Sequence, residues 1–109
     1  MKLVEQSLDD DKAENVVTID LAGKTSIADY MVVANGRSGR QVGAIADHLV
    51  ERLKHEIPGL AVRVEGMPQN DWVLIDAGDI IVHIFRPDIR AFYNLEKIWS
   101  MAMPEQAAV

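Results

Sequence analysis

Three polar side chains in one apolar stretch are the candidates for chemistry in this sequence. Asp76 and Asp79 bracket a turn, and His83 follows in a run of Val and Ile residues. Two carboxylates at this spacing could bind a divalent metal ion for nucleotidyl transfer, with Asp29 or Asp47 in support. Aspartate is also a common turn former, because its side chain accepts hydrogen bonds from nearby backbone N–H groups. His83 has no second histidine at metal-ligand spacing, and no nucleophile elbow is present, so we interpret the chain as a non-enzyme without metal or cofactor.

The stretch that carries these residues is predicted to form a β-hairpin. Residues 72–75 and 80–85 are rich in Val and Ile, and they flank the turn sequence Asp76-Ala77-Gly78-Asp79. Apolar residues are dense in both strands, so we expect both faces of the hairpin to be covered. One face would belong to the domain's own core, and the other would pack under helices or against a partner molecule.

The sequence allows two geometries for this turn. A two-residue loop at Ala77-Gly78 would place Trp72 beside His83, but its favoured form needs a positive φ at Ala77. A type I turn with Gly78 in a left-handed bulge position avoids that strain and shifts the partner strand by one residue, so we favour it. The sequence leaves open whether the alternating side chains of the two strands share one sheet face. Those side chains are Trp72, Leu74 and Asp76 on the first strand, and Ile81, His83 and Phe85 on the second.

Length and composition indicate one domain, residues 1–109, without disulfides. The chain is 49% hydrophobic and has no cysteine, which also excludes a thiol nucleophile. No apolar run approaches the roughly 20 residues needed to cross a bilayer, and the N-terminus has no signal pattern, so we expect a cytoplasmic protein without a membrane partner. The net charge of −6 argues against general attraction to nucleic-acid phosphates and suits a basic protein partner, although solubility alone also explains it.

The rest of the sequence predicts an α+β fold, with a mixed five-stranded sheet and helices packed on it. Apolar periodicity, β-branched runs and turn residues divide the chain into its elements. Helices are predicted at residues 2–11, 39–56 and 89–99, and strands at 16–21, 29–34, 60–65 and in the hairpin. The first two strands are expected to pair antiparallel, and residues 1–2 and 101–109 are expected to fray.

The clearest local signal precedes the long helix. Ser38 and Gln41 have the spacing of a capping box, so Ser38 is predicted as the N-cap and Pro58-Gly59 as the stop. The free N–H groups of this helix start, together with Arg37 and Arg40, could bind an anion. Ordinary capping explains the same residues, and neither a Walker pattern nor a dinucleotide fingerprint is present.

With these motifs in order, the chain resembles the ribosomal silencing factor family, also called the Iojap family. The resemblance spans most of the chain and rests on four blocks. They are SIADYMVVA at residues 26–34, GRSGRQV at 36–42 with IAD at 45–47, EG at 65–66 with residues 71–85, and RAFYNLEKIW at 90–99.

The resemblance implies a nucleotidyltransferase-like fold without catalytic function. The family member would bind the fourteenth protein of the large ribosomal subunit, block joining of the small subunit and lower translation when nutrients are scarce. For organellar relatives the resemblance implies a role in large-subunit assembly. Where the family often has threonine and serine, this chain has Arg37, Ser38 and Gly39, so a peripheral contact of Arg37, Ser38 and Arg40 with ribosomal RNA stays open.

Carried onto this chain, the resemblance implies a partner-binding surface on the hairpin. Its residues are Trp72, Leu74, Asp76, Asp79, Ile81 and His83. Trp72 would fill a pocket of the partner, although core packing explains this residue equally well. Asp76 and Asp79 would face Lys or Arg side chains and set orientation and association rate. Two other interpretations stay open, metal-dependent nucleotidyl transfer through Asp76 and Asp79 and homodimerisation through an exposed sheet face.

Overall fold

A computed structural model of the chain describes residues 1–23, 28–67 and 69–88. Their elements follow in the order α1 (Lys2–Asp10), β1 (Glu14–Asp20), β2 (Tyr30–Asn35), α2 (Gly39–Glu56), β3 (Arg63–Glu65), β4 (Trp72–Asp76) and β5 (Ile80–Phe85). This is the predicted order. The helix predicted at residues 89–99 and the fraying predicted at 101–109 lie outside the described residues. Neither α1 nor α2 combines the length and the apolar character that crossing a membrane requires.

The strands form one mixed sheet in the order β1-β2-β5-β4-β3. β2 and β5 run parallel, and the other neighbouring pairs are antiparallel, including the predicted pair of β1 and β2. The α+β class and the mixed five-stranded sheet are therefore confirmed. The parallel pairing places β5, the second strand of the hairpin, at the centre of the sheet.

Helix α2 begins where the capping signal predicted. The Ser38 hydroxyl accepts the Gln41 N–H at 3.2 Å, and the Gln41 side chain accepts the Arg37 N–H at 2.8 Å. In an ideal capping box the second bond would go to the N–H of the cap itself, so this box reaches one residue further back. After the last turn, Gly59 has a φ of +87°, a conformation that glycine adopts without strain.

The apolar stripe of α2 packs on one face of the sheet. Its buried side chains are the predicted Val42, Ile45, Ala46, Leu49 and Leu53. The sheet completes this core with Val32, Ala34, Val73, Ile75, Val82 and Ile84, and α1 adds Val4 and Leu8. Ion pairs of Asp10 with Arg52 and of Asp11 with His48, both at 2.8 Å, hold α1 against α2. Both described helices therefore cover the same side of the sheet.

Strand β3 is shorter than predicted. The sequence pattern covered residues 60–65, but only Arg63–Glu65 forms a strand, which pairs with β4 at the edge of the sheet. The Leu60 N–H donates instead to the Ile57 carbonyl at 3.1 Å, within the turn that follows α2. Because this turn uses the backbone of Leu60, the strand begins only after it.

The hairpin has neither of the turns considered from the sequence. The Ala77 N–H donates to the Ile80 carbonyl at 3.0 Å, so these two residues pair and the loop consists of Gly78 and Asp79. The predicted bulge was wrong, because Gly78 takes a φ of +89° as the first loop residue and no strain falls on Ala77. The strand register is shifted by two residues from that of an Ala77-Gly78 loop.

Candidate partner-binding face

The hairpin register brings five of the six predicted binding residues onto one side of the sheet. The directly opposed pairs are Trp72 with Phe85, Leu74 with His83, and Asp76 with Ile81. Directly opposed side chains of antiparallel strands lie on the same sheet face, so the two sets that the sequence left unrelated coincide. We call this side of the sheet the tryptophan face. It carries these six residues, and β2 and β3 extend it with Met31, Val33, Arg63 and Glu65.

Exposure varies along the tryptophan face. Phe85 is fully buried and His83 is 8% exposed, whereas Trp72, Leu74 and Ile81 are half-buried. On the other side of the same strands, Val73, Ile75, Val82 and Ile84 are fully buried in the core under α2, and Ile80 packs against that core half-buried. Phe85 belongs to a second core cluster with Met31 and Val33, and Trp72 and Ile81 pack against it. The tryptophan face is therefore covered in part, and only the half-buried side chains leave apolar surface in contact with solvent.

Trp72, His83 and Phe85 form an aromatic cluster on this face. The Trp72 indole N–H donates to Nδ1 of His83 at 3.0 Å, and the Trp72 and Phe85 rings stack with centroids 5.0 Å apart. Burial lowers the pKa of His83 to about 4, so its imidazole is neutral at physiological pH. His83 supports the indole of Trp72 from within the face, and its direct contact with a partner stays a prediction.

Asp76 and Asp79 lie at the hairpin turn. The Asp76 carboxylate accepts the Gly78 N–H at 2.9 Å, so it acts as a turn former. The Asp79 carbonyl accepts the N–H groups of Asp29 and Tyr30 at 2.8 and 3.1 Å, which ties the turn to the start of β2. In the part of the chain that the structure describes, no three His, Asp or Glu side chains are grouped closely enough to hold a metal ion.

The sheet end that carries this turn is acidic. β1 ends at Asp20, β2 begins after Asp29, and β4 ends at Asp76 next to Asp79 in the turn. The carboxylates of Asp20, Asp29 and Asp79 are exposed. The parallel pairing of β2 with β5 brings these residues to one end of the sheet. Asp20 was not predicted at this end from the sequence, because strand order cannot be read from the pattern of a single strand.

A cleft of about 260 Å³ lies beside Trp72 and is lined by Glu65, Gly66, Trp72 and Leu74. Glu65 is directly opposite Leu74, so its exposed carboxylate projects from the tryptophan face. Gly66 has a φ of +99°, and a Cβ there would collide with the Trp72 carbonyl, so this corner requires glycine. Glu65 was not predicted as a site residue from the sequence, although the Glu65-Gly66 pair is part of the family resemblance.

Two other regions lie away from the hairpin turn. The larger cleft of about 610 Å³, between α1 and Arg52, contains none of the predicted site residues. The corner with Arg37, Ser38 and Arg40 lies at the opposite end of the sheet, where β2 ends. There Ser38 caps the helix, and Arg37 forms an ion pair with Glu14 at 2.9 Å. An anion or RNA contact at this corner stays a prediction.

Comparison with known proteins adds independent information. The family model described as ribosomal silencing factor during starvation matches residues 1–108. A ribosomal silencing factor RsfS of Zymomonas mobilis is 60% identical over 99 residues, which cover 91% of this chain and 74% of that protein. A crystal structure of a Chromobacterium violaceum protein superposes with a TM-score of 0.84 at 37% identity, covering 91% of this chain and 82% of that one. The mouse protein named mitochondrial assembly of ribosomal large subunit protein 1 is 31% identical over 95 residues, covering 84% of this chain and 41% of that protein.

Proposed function

Because this chain belongs to the ribosomal silencing factor family, we propose that it binds the large ribosomal subunit through the subunit's fourteenth protein and prevents the small subunit from joining. Translation falls as a result. The protein acts in the cytoplasm, where bacterial ribosomes are found, and it needs neither catalysis nor a cofactor. The name of the mouse relative, which refers to assembly of the large subunit, supports the choice of that subunit.

The observation that supports this proposal most directly is the half-buried apolar surface of the tryptophan face. Trp72, Leu74 and Ile81 share this face, while the opposite side of the same strands packs in the core under α2. A tryptophan that is held in position and partly accessible is a favoured anchor in protein interfaces, because it buries a large apolar area with little loss of conformational entropy. The partner would bury this surface.

Charge supports a basic protein as the partner. The acidic end of the sheet carries the exposed residues Asp29 and Asp79. Asp20 lies at the same end, but its register with Tyr30 and Ile80 puts it on the α2 side of the sheet, and its carboxylate accepts the Ala22 N–H. Carboxylates such as those of Asp29 and Asp79 attract Lys and Arg side chains, raise the association rate and orient the complex. They would repel RNA phosphates, so the main contact is assigned to a ribosomal protein.

The proposed mechanism is steric. A protein bound at the joining surface of the large subunit occupies volume that the small subunit needs, so silencing requires only affinity and a correctly placed footprint. Among the residues that the structure describes, no three His, Asp or Glu side chains are grouped to hold a metal ion, and Asp76 is engaged in the turn. Steric exclusion is consistent with both observations.

The proposal is tested by subunit joining in vitro. Purified large and small subunits are mixed with wild type, with Asp79→Lys and with the control Asp47→Lys, and joining is followed by light scattering. Asp47 is exposed on α2, on the far side of the sheet, and carries the same charge change. We expect wild type and Asp47→Lys to inhibit joining, and Asp79→Lys to require about tenfold more protein.

Trp72→Ala is the second variant in this test. Its effect on folding is checked by thermal melting, because Trp72 also stacks on Phe85. Trp72→Phe keeps part of the stack and serves as a folded comparison. A wild-type protein that neither sediments with large subunits nor inhibits joining would end the proposal.

A further inference from the structure

The cleft beside Trp72 combines apolar walls with one carboxylate at its rim. Trp72 and Leu74 supply apolar surface, and the exposed Glu65 supplies the charge. At about 260 Å³ the cleft has room for a single side chain rather than for a small-molecule ligand, whose sites usually start near 300 Å³. Its composition is therefore that of a subsite within an interface.

We propose that this cleft receives one Lys or Arg side chain of the protein partner. The inference rests on the proposed function and names the chemistry that the tryptophan face recognises. Lys and Arg have a long apolar stem and a charged head. The stem would lie against Trp72 and Leu74, with the cation near the indole ring, and the head would form an ion pair with Glu65. Lys and Arg therefore match both the walls and the rim.

The charges around Glu65 leave its carboxylate accessible. Its neighbour on the same strand face is Arg63, whose guanidinium is 3.9 Å from the Glu65 carboxylate, too far for a hydrogen bond. Both side chains of this pair are mostly exposed, so the interaction is weak. Arg63 is also directly opposite Asp76. When a cation of the partner binds Glu65, Arg63 still has the Asp76 carboxylate as a neighbour.

The same charges favour a basic protein over the other occupants of such a cleft. Glu65 and Asp76 repel RNA phosphates. Among the described strand residues, the tryptophan face carries Arg63 as its cation, so a second copy of this chain would bring two carboxylates, Glu65 and Asp76, for that one cation. A basic segment of a ribosomal protein meets neither obstacle.

The test compares Glu65→Lys and Glu65→Gln with Glu51→Lys in binding of the full chain to purified large subunits. Glu51 is exposed on α2, on the far side of the sheet, and reports the effect of the charge change alone. We expect Glu65→Lys to weaken binding at least about tenfold relative to Glu51→Lys, and Glu65→Gln to weaken it by a smaller factor. Arg63→Ala should strengthen binding a few-fold, because it removes the cation that competes for Glu65.

Thermal melting confirms that each variant is folded, which is expected because residues 63 and 65 are exposed on an edge strand. Equal binding of Glu65→Lys and Glu51→Lys would overturn the subsite while leaving the proposed function intact. Failure of the wild type to bind large subunits would overturn both. If Glu65→Lys changed only the self-association of the free protein, measured by analytical ultracentrifugation, the cleft would belong to a homodimer and the inference would be wrong.

A cross-link identifies the occupant directly. The chain has no cysteine, so Glu65→Cys carries a single thiol that can be labelled with a photoactivatable group. The expected product joins residue 65 to a ribosomal-protein peptide at or next to a Lys or Arg. A product that joins it to ribosomal RNA would overturn the assignment.

Discussion

The indole N–H of Trp72 donates to Nδ1 of His83 over 3.0 Å, so two residues assigned to partner binding are bonded to each other. An indole nitrogen only donates, and Nδ1 must therefore be the acceptor, with the imidazole proton on Nε2. A doubly protonated His83 would present a second N–H toward the indole and break the bond. The position of the Trp72 ring thus depends on a neutral His83.

Replacing His83 should distinguish two contributions to stability, its hydrogen bond with the Trp72 indole and the volume that its side chain fills. His83→Leu removes the hydrogen-bond acceptor that the half-buried indole N–H uses at 3.0 Å, so we expect the free energy of unfolding to fall by about 1–3 kcal/mol. His83→Asn keeps an acceptor near the position of Nδ1 and should recover part of that loss. Urea unfolding measures both variants, with the indole N–H resonance in NMR as a local probe. Identical unfolding curves for the two variants would contradict the role of the bond.

The buried imidazole also predicts an acid-dependent loss of stability. The pKa of His83 is lowered by burial to about 4, against about 6.5 in the unfolded chain. Between these two pH values the unfolded state binds more protons than the folded state. The stability that the neutral, buried His83 contributes is therefore fully present above pH 6.5 and is lost progressively as the pH falls toward 4. It amounts to about 3 kcal/mol at most. The measurement is urea unfolding of wild type and His83→Asn from pH 7 to pH 4.5, and the wild type should show the steeper decline.

Position 43 is predicted to favour glycine because the Asn70 side chain packs against it, and not because the helix needs glycine there. Alanine inside a helix is normally more stable than glycine by about 1 kcal/mol. Here a Cβ on Gly43 would lie 2.6 Å from Nδ2 of Asn70, so the Asn70 side chain must move and Gly43→Ala should lose part or all of this gain. Asn70 has a φ of +60°, which glycine tolerates, so adding Asn70→Gly should restore the normal gain from alanine. Thermal melting of both single variants and the double variant completes the cycle.

Gly39→Ala is the matched control for that cycle. The nearest atoms to a Cβ at Gly39 are 3.8 Å away, an ordinary contact. This variant should be neutral or slightly stabilising. If Gly43→Ala gained as much stability with Asn70 present as with Asn70→Gly, the close approach of Asn70 would not constrain the loop before Trp72.

Nucleotide binding should be absent if the aspartates serve the turn and the partner. Adding a nucleoside triphosphate with Mg²⁺ is expected to leave the melting temperature unchanged, because a ligand raises it only when it binds the folded state. Asp76→Asn is the comparison. A melting shift in wild type that Asp76→Asn abolishes would revive the nucleotidyl transferase interpretation.

The sequence predicted the elements better than their arrangement. Ser38 and Gln41 marked the start of α2, and Pro58-Gly59 marked its end, because caps and stops act over three or four residues. The end of β3 nearest the helix was predicted too early, since the turn after α2 uses the Leu60 N–H. That competition between neighbouring elements is not visible in an alternating apolar pattern.

The sequence by itself determined the α+β class, the long helix and the alternation of side chains within each hairpin strand, because these follow from local propensity and periodicity. Only the tertiary structure decided that Trp72, Leu74 and Asp76 share a face with Ile81, His83 and Phe85. A shift of one residue would have placed the two sets on opposite faces, since side chains alternate with a period of two. The positive φ of Gly78, and the bonds that join the turn to β2, selected the register that brings them together.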